Sequence, residues 1–260
     1  MIIYTVDAFT NQPFKGNPAG VCVVAKMPSE DLMQNIAAEL NYANTAFIEQ
    51  TRADCYKIRW FTPRSEAPLC GHATIGSMHI LCSVHGVASE TSVTFECKVG
   101  EIYAQKTGSW YELNFPSYEV KPVDLSQQLK DVINVKPVFT GFAENCYFME
   151  FESLEDLKLL APDLEKLKKI ECRALSATAK GVEFDFHSRY FAPRVGINED
   201  PVCASAHTRL IPYWSKKLGK DEMIAQQASA RGGVLKCKNL GNRVLISGEA
   251  VTVMRTELNI

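Results

Sequence analysis

The residues best equipped for chemistry fall in two runs of one pattern, Pro68-Leu69-Cys70-Gly71-His72-Ala73 and Pro201-Val202-Cys203-Ala204-Ser205-Ala206. Each sets a cysteine just before an apolar segment that reads as a helix. Backbone amides in the first turn of a helix have no partner within it, so Gly71 and His72 in one copy, and Ala204 and Ser205 in the other, could hold a carboxylate. A helix start also favours thiolates at Cys70 and Cys203. Asp200 stands before Pro201 in the form of an N-cap followed by proline at the first helical position, and its side chain titrates. A carboxylate receptor beside thiols, an aspartate and an imidazole makes these helix starts the place to look for chemistry. The candidate site residues are Asp200, His72, Cys70, Cys203 and Ser205. Taken singly, each has a plain structural use: a cap, buried filler, or a satisfied polar group at a helix start. Their joint placement is what points to a site. His79, His85, His187 and His207 are scattered without ligand spacing, so no metal is expected.

The pattern is part of a larger repeat. Arg59-Trp60-Phe61-Thr62-Pro63-Arg64 leads into the first copy and Arg189-Tyr190-Phe191-Ala192-Pro193-Arg194 into the second, offset by half of the 260-residue chain. The cysteines are offset by three positions more, which places a short insertion near residues 196–198. Two related lobes follow, 1–117 and 118–260, with the last strand free to return to the first lobe, and a cleft between them is the expected place for chemistry. Residues 116–137, bounded by prolines, read as the bridge.

Apolar residues make up 46% of the chain, enough for one large core or two medium ones. With 28 basic and 30 acidic residues there is no electrostatic footprint for nucleic acid or an anionic membrane. No run reaches the roughly 18 apolar residues of a membrane helix, and the first residues lack a signal-peptide pattern, so a cytoplasmic location is expected. Nine cysteines without a CxxC pair suit neither a disulfide framework nor a zinc knuckle; most, such as Cys22, Cys82, Cys97 and Cys237, read as small buried hydrophobes.

The elements repeat as well. Strand patterns over 2–9 and 20–25 have counterparts at 138–140 and 146–151, and Ser29 and Ser153 each introduce a helix, the second running through Leu157, Leu160, Leu164 and Leu167. Residues 71–84 are apolar on almost every side, and 201–218 continue likewise to Lys216-Lys217-Leu218-Gly219, a basic last turn and a glycine stop. Short alternating strands at 92–98, 101–106 and 110–115, then 234–238, 243–247 and 250–254, surround the two helices. The fold class is therefore α+β, built twice, with a twisted, mostly antiparallel sheet wrapped round a central helix in each of two pseudo-symmetric lobes.

These residues also resemble a known family. Val6-Asp7-Ala8-Phe9-Thr10, Phe14-Lys15-Gly16-Asn17-Pro18-Ala19-Gly20-Val21, Arg59-Trp60-Phe61-Thr62-Pro63, Cys70-Gly71-His72-Ala73-Thr74, Asn198-Glu199-Asp200-Pro201-Val202-Cys203 and Arg231-Gly232-Gly233 look like the phenazine-biosynthesis PhzF-like isomerases, in collinear order. The resemblance implies a diaminopimelate epimerase-like fold, a homodimer, no cofactor and a role in a biosynthetic process. It also implies an acid/base pair of glutamate and aspartate, with a histidine and a serine nearby and helix-end amides holding the substrate carboxylate. The aspartate carries over to Asp200, the histidine to His72 and the serine to Ser205. The glutamate does not: Asn41-Tyr42-Ala43-Asn44-Thr45 puts Asn44 in its place, and an amide cannot take up a proton at physiological pH.

Three expectations result. The chain is a cofactor-independent isomerase or epimerase acting on a small carboxylate, its partner a small molecule. Alternatively it is an impaired member that binds carboxylates without turnover. Or Cys70 and Cys203, which resemble in position the paired cysteines of diaminopimelate epimerase and proline racemase, move the proton between opposite faces of an α-carbon.

Overall fold

The computed structural model describes residues 1–259 and divides into two compact units, Met1–Phe115 with the chain from Leu245 onward, and Pro116–Val244. The first unit opens with β1 (Ile2–Ala8), β2 (Asn17–Val24), α1 (Glu30–Leu40), β3 (Asn44–Arg52), β4 (Cys55–Phe61), β5 (Glu66–Ala67), α2 (Gly71–Ser83), β6 (Ser92–Cys97), β7 (Gly100–Thr107) and β8 (Trp110–Pro116). The second contains β9 (Lys121–Pro122), α3 (Gln127–Lys130), β10 (Phe139–Ala143), β11 (Cys146–Phe151), α4 (Leu154–Leu159), α5 (Leu164–Lys169), β12 (Ala174–Lys180), β13 (Phe186–Phe191), α6 (Ala204–Leu218), β14 (Glu222–Gln227) and β15 (Gly233–Asn239). β16 (Arg243–Gly248) crosses the boundary, and β17 (Ala250–Glu257) pairs antiparallel with β1 in the first unit.

Strand pairing repeats. In the first unit β1–β2 is antiparallel, β2–β3 parallel, β3–β4 antiparallel, β4–β6 parallel and β6–β7 antiparallel. In the second, β10–β11, β11–β12, β12–β13, β13–β14 and β14–β15 run through the same order of directions. Each sheet encloses a helix. α2 packs against β1, β2, β3, β7 and β17 with nine of its residues buried; α6 packs against β14 and β15, and its Trp214 donates to the Thr178 hydroxyl at 2.9 Å while stacking on Phe186.

Proline breaks the sequence pattern at one place and is accommodated at another. The helix expected from Leu157 through Leu167 ends at Leu159 and restarts after Asp163, because Pro162 lacks the amide that a continuous helix needs and biases Ala161 away from helical backbone. Asp163 caps the restart by accepting from the Lys166 amide at 3.0 Å. Pro212 lies inside α6, where it cannot donate to the Thr208 carbonyl one turn back. The Tyr118 amide takes that carbonyl instead, at 3.0 Å, so α6 continues unbroken.

One contact, absent from the sequence reading, recurs in both units. Arg59 on β4 donates from Nε and Nη2 to the two oxygens of Glu66, at 2.8 and 2.7 Å, and lies over the Phe61 ring. Arg189 on β13 donates from Nε and Nη2 to Glu199, at 2.8 and 3.0 Å, and lies over the Phe191 ring. Arg189 also uses Nη1 to reach the Leu157 and Leu160 carbonyls at the end of α4. Arg189→Lys keeps the charge but cannot make this planar fork; urea unfolding should show a loss of about 1.5–3 kcal/mol. An unchanged midpoint would mean that the fork contributes nothing to stability.

Candidate active site

The forks fix the segments that enter α2 and α6. Glu66 stands four residues before Cys70, and Glu199 immediately precedes Asp200. Cys70 and Cys203 are the N-cap residues of the two helices, both with extended backbone, and neither uses its own side chain as the cap. The first-turn amides predicted to be available at Gly71-His72 and Ala204-Ser205 therefore lie at helix ends that their N-cap cysteines do not cap.

Asp200 is not the cap that its Asp-Pro context suggests. α6 begins at Ala204, after a turn at Pro201-Val202. The reason lies in the carbonyls that would have begun the helix: that of Asp200 accepts from Gln227 Nε2 at 2.6 Å, and that of Pro201 from the Ser229 hydroxyl at 2.7 Å. Gln227 also accepts from the Cys203 amide through Oε1 at 2.9 Å, so one fully buried amide side chain grips both ends of the turn. The Asp200 amide donates to the Tyr190 carbonyl at 2.9 Å. Asp200 is buried, and the Cys203 Sγ lies 3.2 Å from the Ser205 Oγ.

Burial reverses the expected charge on Cys203. Desolvation, reinforced by the negative charge of Asp200, pushes its thiol up to about 12, so it is protonated at neutral pH in spite of its place at a helix start. Buried Cys22 is pushed up to about 12 and Cys172 to about 11 for the same first reason. All nine cysteines are free; Cys82 and Cys97 are half-buried, where deeper burial was expected.

In the first unit Cys70 and His72 come together with Asn17. The Asn17 amide lies 3.3 Å from His72 Nδ1, and Cys70 Sγ 3.5 Å from the same nitrogen. With that amide donating, Nδ1 is the acceptor and Nε2 carries the proton. Burial pulls His72 down from 6.5 to about 4, so the ring is neutral. Asn17 is delivered by Gly16, whose backbone is left-handed and whose missing Cβ would fall 2.1 Å from the Ala8 carbonyl oxygen. Asn44 opens β3 opposite Ala19, buried, and its Oδ1 has no hydrogen-bond partner. Sequence reasoning missed the roles of Asn17 and Gln227. The first sits inside the Gly16-Asn17-Pro18 motif, whereas the second carries no local signal at all.

A family model described as phenazine biosynthesis-like protein, PhzC-PhzF, matches residues 6–256. An uncharacterized isomerase of Halalkalibacterium halodurans is 46% identical over 259 residues, covering 98% of this chain and 97% of its own. The crystal structure of a PhzF-family phenazine biosynthesis protein from Enterococcus faecalis matches with a TM-score of 0.96 and 37% identity, over 100% of this chain and 99% of that one. A hydroxyproline epimerase from Agrobacterium vitis shares the fold alone, with a TM-score of 0.62 at 13% identity over 98% of this chain and 91% of that one. The chain belongs to the phenazine biosynthesis-like family, and isomerase is the enzyme class that this membership assigns to it.

Two measurements check the electrostatics. At pH 8, alkylation by iodoacetamide followed by peptide mass spectrometry should leave Cys203 unmodified, and Asp200→Asn, by removing the adjacent negative charge, should lower its thiol pKa. Alkylation at the rate of an ordinary free thiol would contradict the burial argument. For the histidines, the folded pKa lies below the unfolded one, so their contribution is present above about 6.5 and drains away as the pH falls toward about 4. His72→Gln should flatten the fall in unfolding free energy across that window by up to about 1.4 kcal/mol per pH unit; an unaltered slope would mean that His72 is protonated in the folded state.

Proposed function

We propose that the chain is a cofactor-independent isomerase or epimerase that moves a proton at the carbon next to a carboxylate of a small substrate. The observation that carries this reading is Asp200, a buried carboxylate whose turn is gripped by Gln227 just before the start of α6. The amides of Ala204 and Ser205, with the Ser205 hydroxyl, would hold the substrate carboxylate. Asp200 takes the proton from the neighbouring carbon, and the electron pair of the broken C–H bond moves into the carboxylate. The charge that develops on its oxygens is met by the same fixed donors, which need no rearrangement as the reaction proceeds. Return of a proton to another atom, or to the opposite face, completes an isomerisation or an epimerisation.

Cys203, held as a thiol, enters this scheme as a proton donor rather than a base, so a two-cysteine route would need Cys70 to take the proton. His72, neutral and hydrogen-bonded to Asn17, can donate from Nε2 without changing charge. A second reading, carboxylate binding without turnover, is favoured by Asn44, whose amide cannot titrate where the family carries glutamate.

The test is deuterium uptake from deuterated water at the α-carbon of a panel of small amino and hydroxy acids, read by mass spectrometry. Asp200→Asn should slow uptake by about two orders of magnitude or more, with little change in melting temperature, since the backbone bonds of the turn to Gln227 and Tyr190 remain. Equal uptake in the variant would remove Asp200 from the mechanism. Uptake in neither protein, with carboxylates still bound, would favour the binding-only reading, and Asn44→Glu should then create exchange.

A further inference from the structure

Arg209 is only 4% exposed, more enclosed than Arg59 or Arg189, yet it has no counterpart to the carboxylates that those two hold. Its Nε is buried without a hydrogen-bond partner, and among the described residues no ion pair or hydrogen bond engages its guanidinium. A buried cation left uncompensated is costly, and one partner can convert that cost into affinity. Side chains on a helix lean toward its N-terminus and stack on the residue four positions earlier, which for Arg209 is Ser205, in the first turn of α6. The charge of Arg209 is felt at Cys203, opposing that of Asp200, and at Tyr190, which locates it in the same region.

We infer that Arg209 is a specificity-determining residue that pairs with a second acidic group of the substrate, so that the preferred ligands are dicarboxylates rather than monocarboxylates. This rests on the carboxylate-binding role proposed for the start of α6. The neutral amides of Ala204 and Ser205 suit one carboxylate. Arg209 adds a full positive charge with a planar fork, which a second carboxylate can engage through two parallel hydrogen bonds.

Isothermal titration calorimetry with acetate, malonate, succinate and glutarate tests this on the intact protein. The best dicarboxylate should bind roughly tenfold or more tighter than acetate, the scale of a hydrogen bond to a charged group, and Arg209→Met should abolish that preference while retaining acetate. A preference that survives in Arg209→Met, or acetate bound as tightly as every dicarboxylate, would overturn the assignment while leaving the carboxylate site at α6 standing. If neither acetate nor any dicarboxylate binds, the reading of α6 fails first. The melting temperature of ligand-free Arg209→Met gives an independent check: removing an uncompensated buried charge should leave it unchanged or raise it. A lower melting temperature, or failure to fold, would show that Arg209 serves the fold and contradict the inference.

Discussion

The arrangement depends on a guanidinium–carboxylate fork made once in each unit. A strand that ends before a loop leaves the direction of the following helix undetermined unless something ties the loop back. Arg59 to Glu66 and Arg189 to Glu199 supply that tie with two parallel charged hydrogen bonds, a geometry that a single ammonium cannot reproduce. The Arg59 guanidinium holds the Glu66 carboxyl below its usual range, so the fork persists in mildly acidic conditions. Each arginine also covers an aromatic ring two residues along its own strand, which fixes the guanidinium from its apolar face. The same tie has survived in both halves of a duplicated chain, although the helix starts it serves have diverged to Gly-His and Ala-Ser.

In the second unit the fork is extended by Gln227. Its amide accepts from one backbone amide and donates to one backbone carbonyl at once, and it does so across the turn from Asp200 to Cys203. The outcome is a carboxylate in a fixed place beside a helix end, with a thiol kept protonated by the same burial. Helix-end electrostatics alone would have made Cys203 a thiolate; desolvation and the neighbouring aspartate win. Chemistry in this chain is therefore assigned by environment more than by residue type.

Much of the fold was legible because the repeat is written in the residues themselves. The alternating runs became β11 at Cys146–Phe151 and the strands after each helix, and Gly219 ends α6 in the left-handed conformation that its position required. What was not legible depended on partners distant in sequence. Asp-Pro reads as a helix start, yet Gln227 and Ser229, more than twenty residues later, take the carbonyls that would have begun it. Pro162 was visible, but the leucine spacing across it outweighed the break. Pro212 is tolerated only because Tyr118 supplies the missing donor, which no local pattern announces. The candidate residues themselves were legible, whereas their protonation states were set by burial and were not.

On this reading the start of α6 receives a carboxylate next to Asp200. A crystal of the protein soaked in a small carboxylate tests it most directly. Carboxylate density should lie within about 2.7–3.2 Å of the Ala204 or Ser205 backbone nitrogen, on the side of the helix end that carries Asp200. A carboxylate bound elsewhere at full occupancy, with that helix end hydrated only, would contradict it.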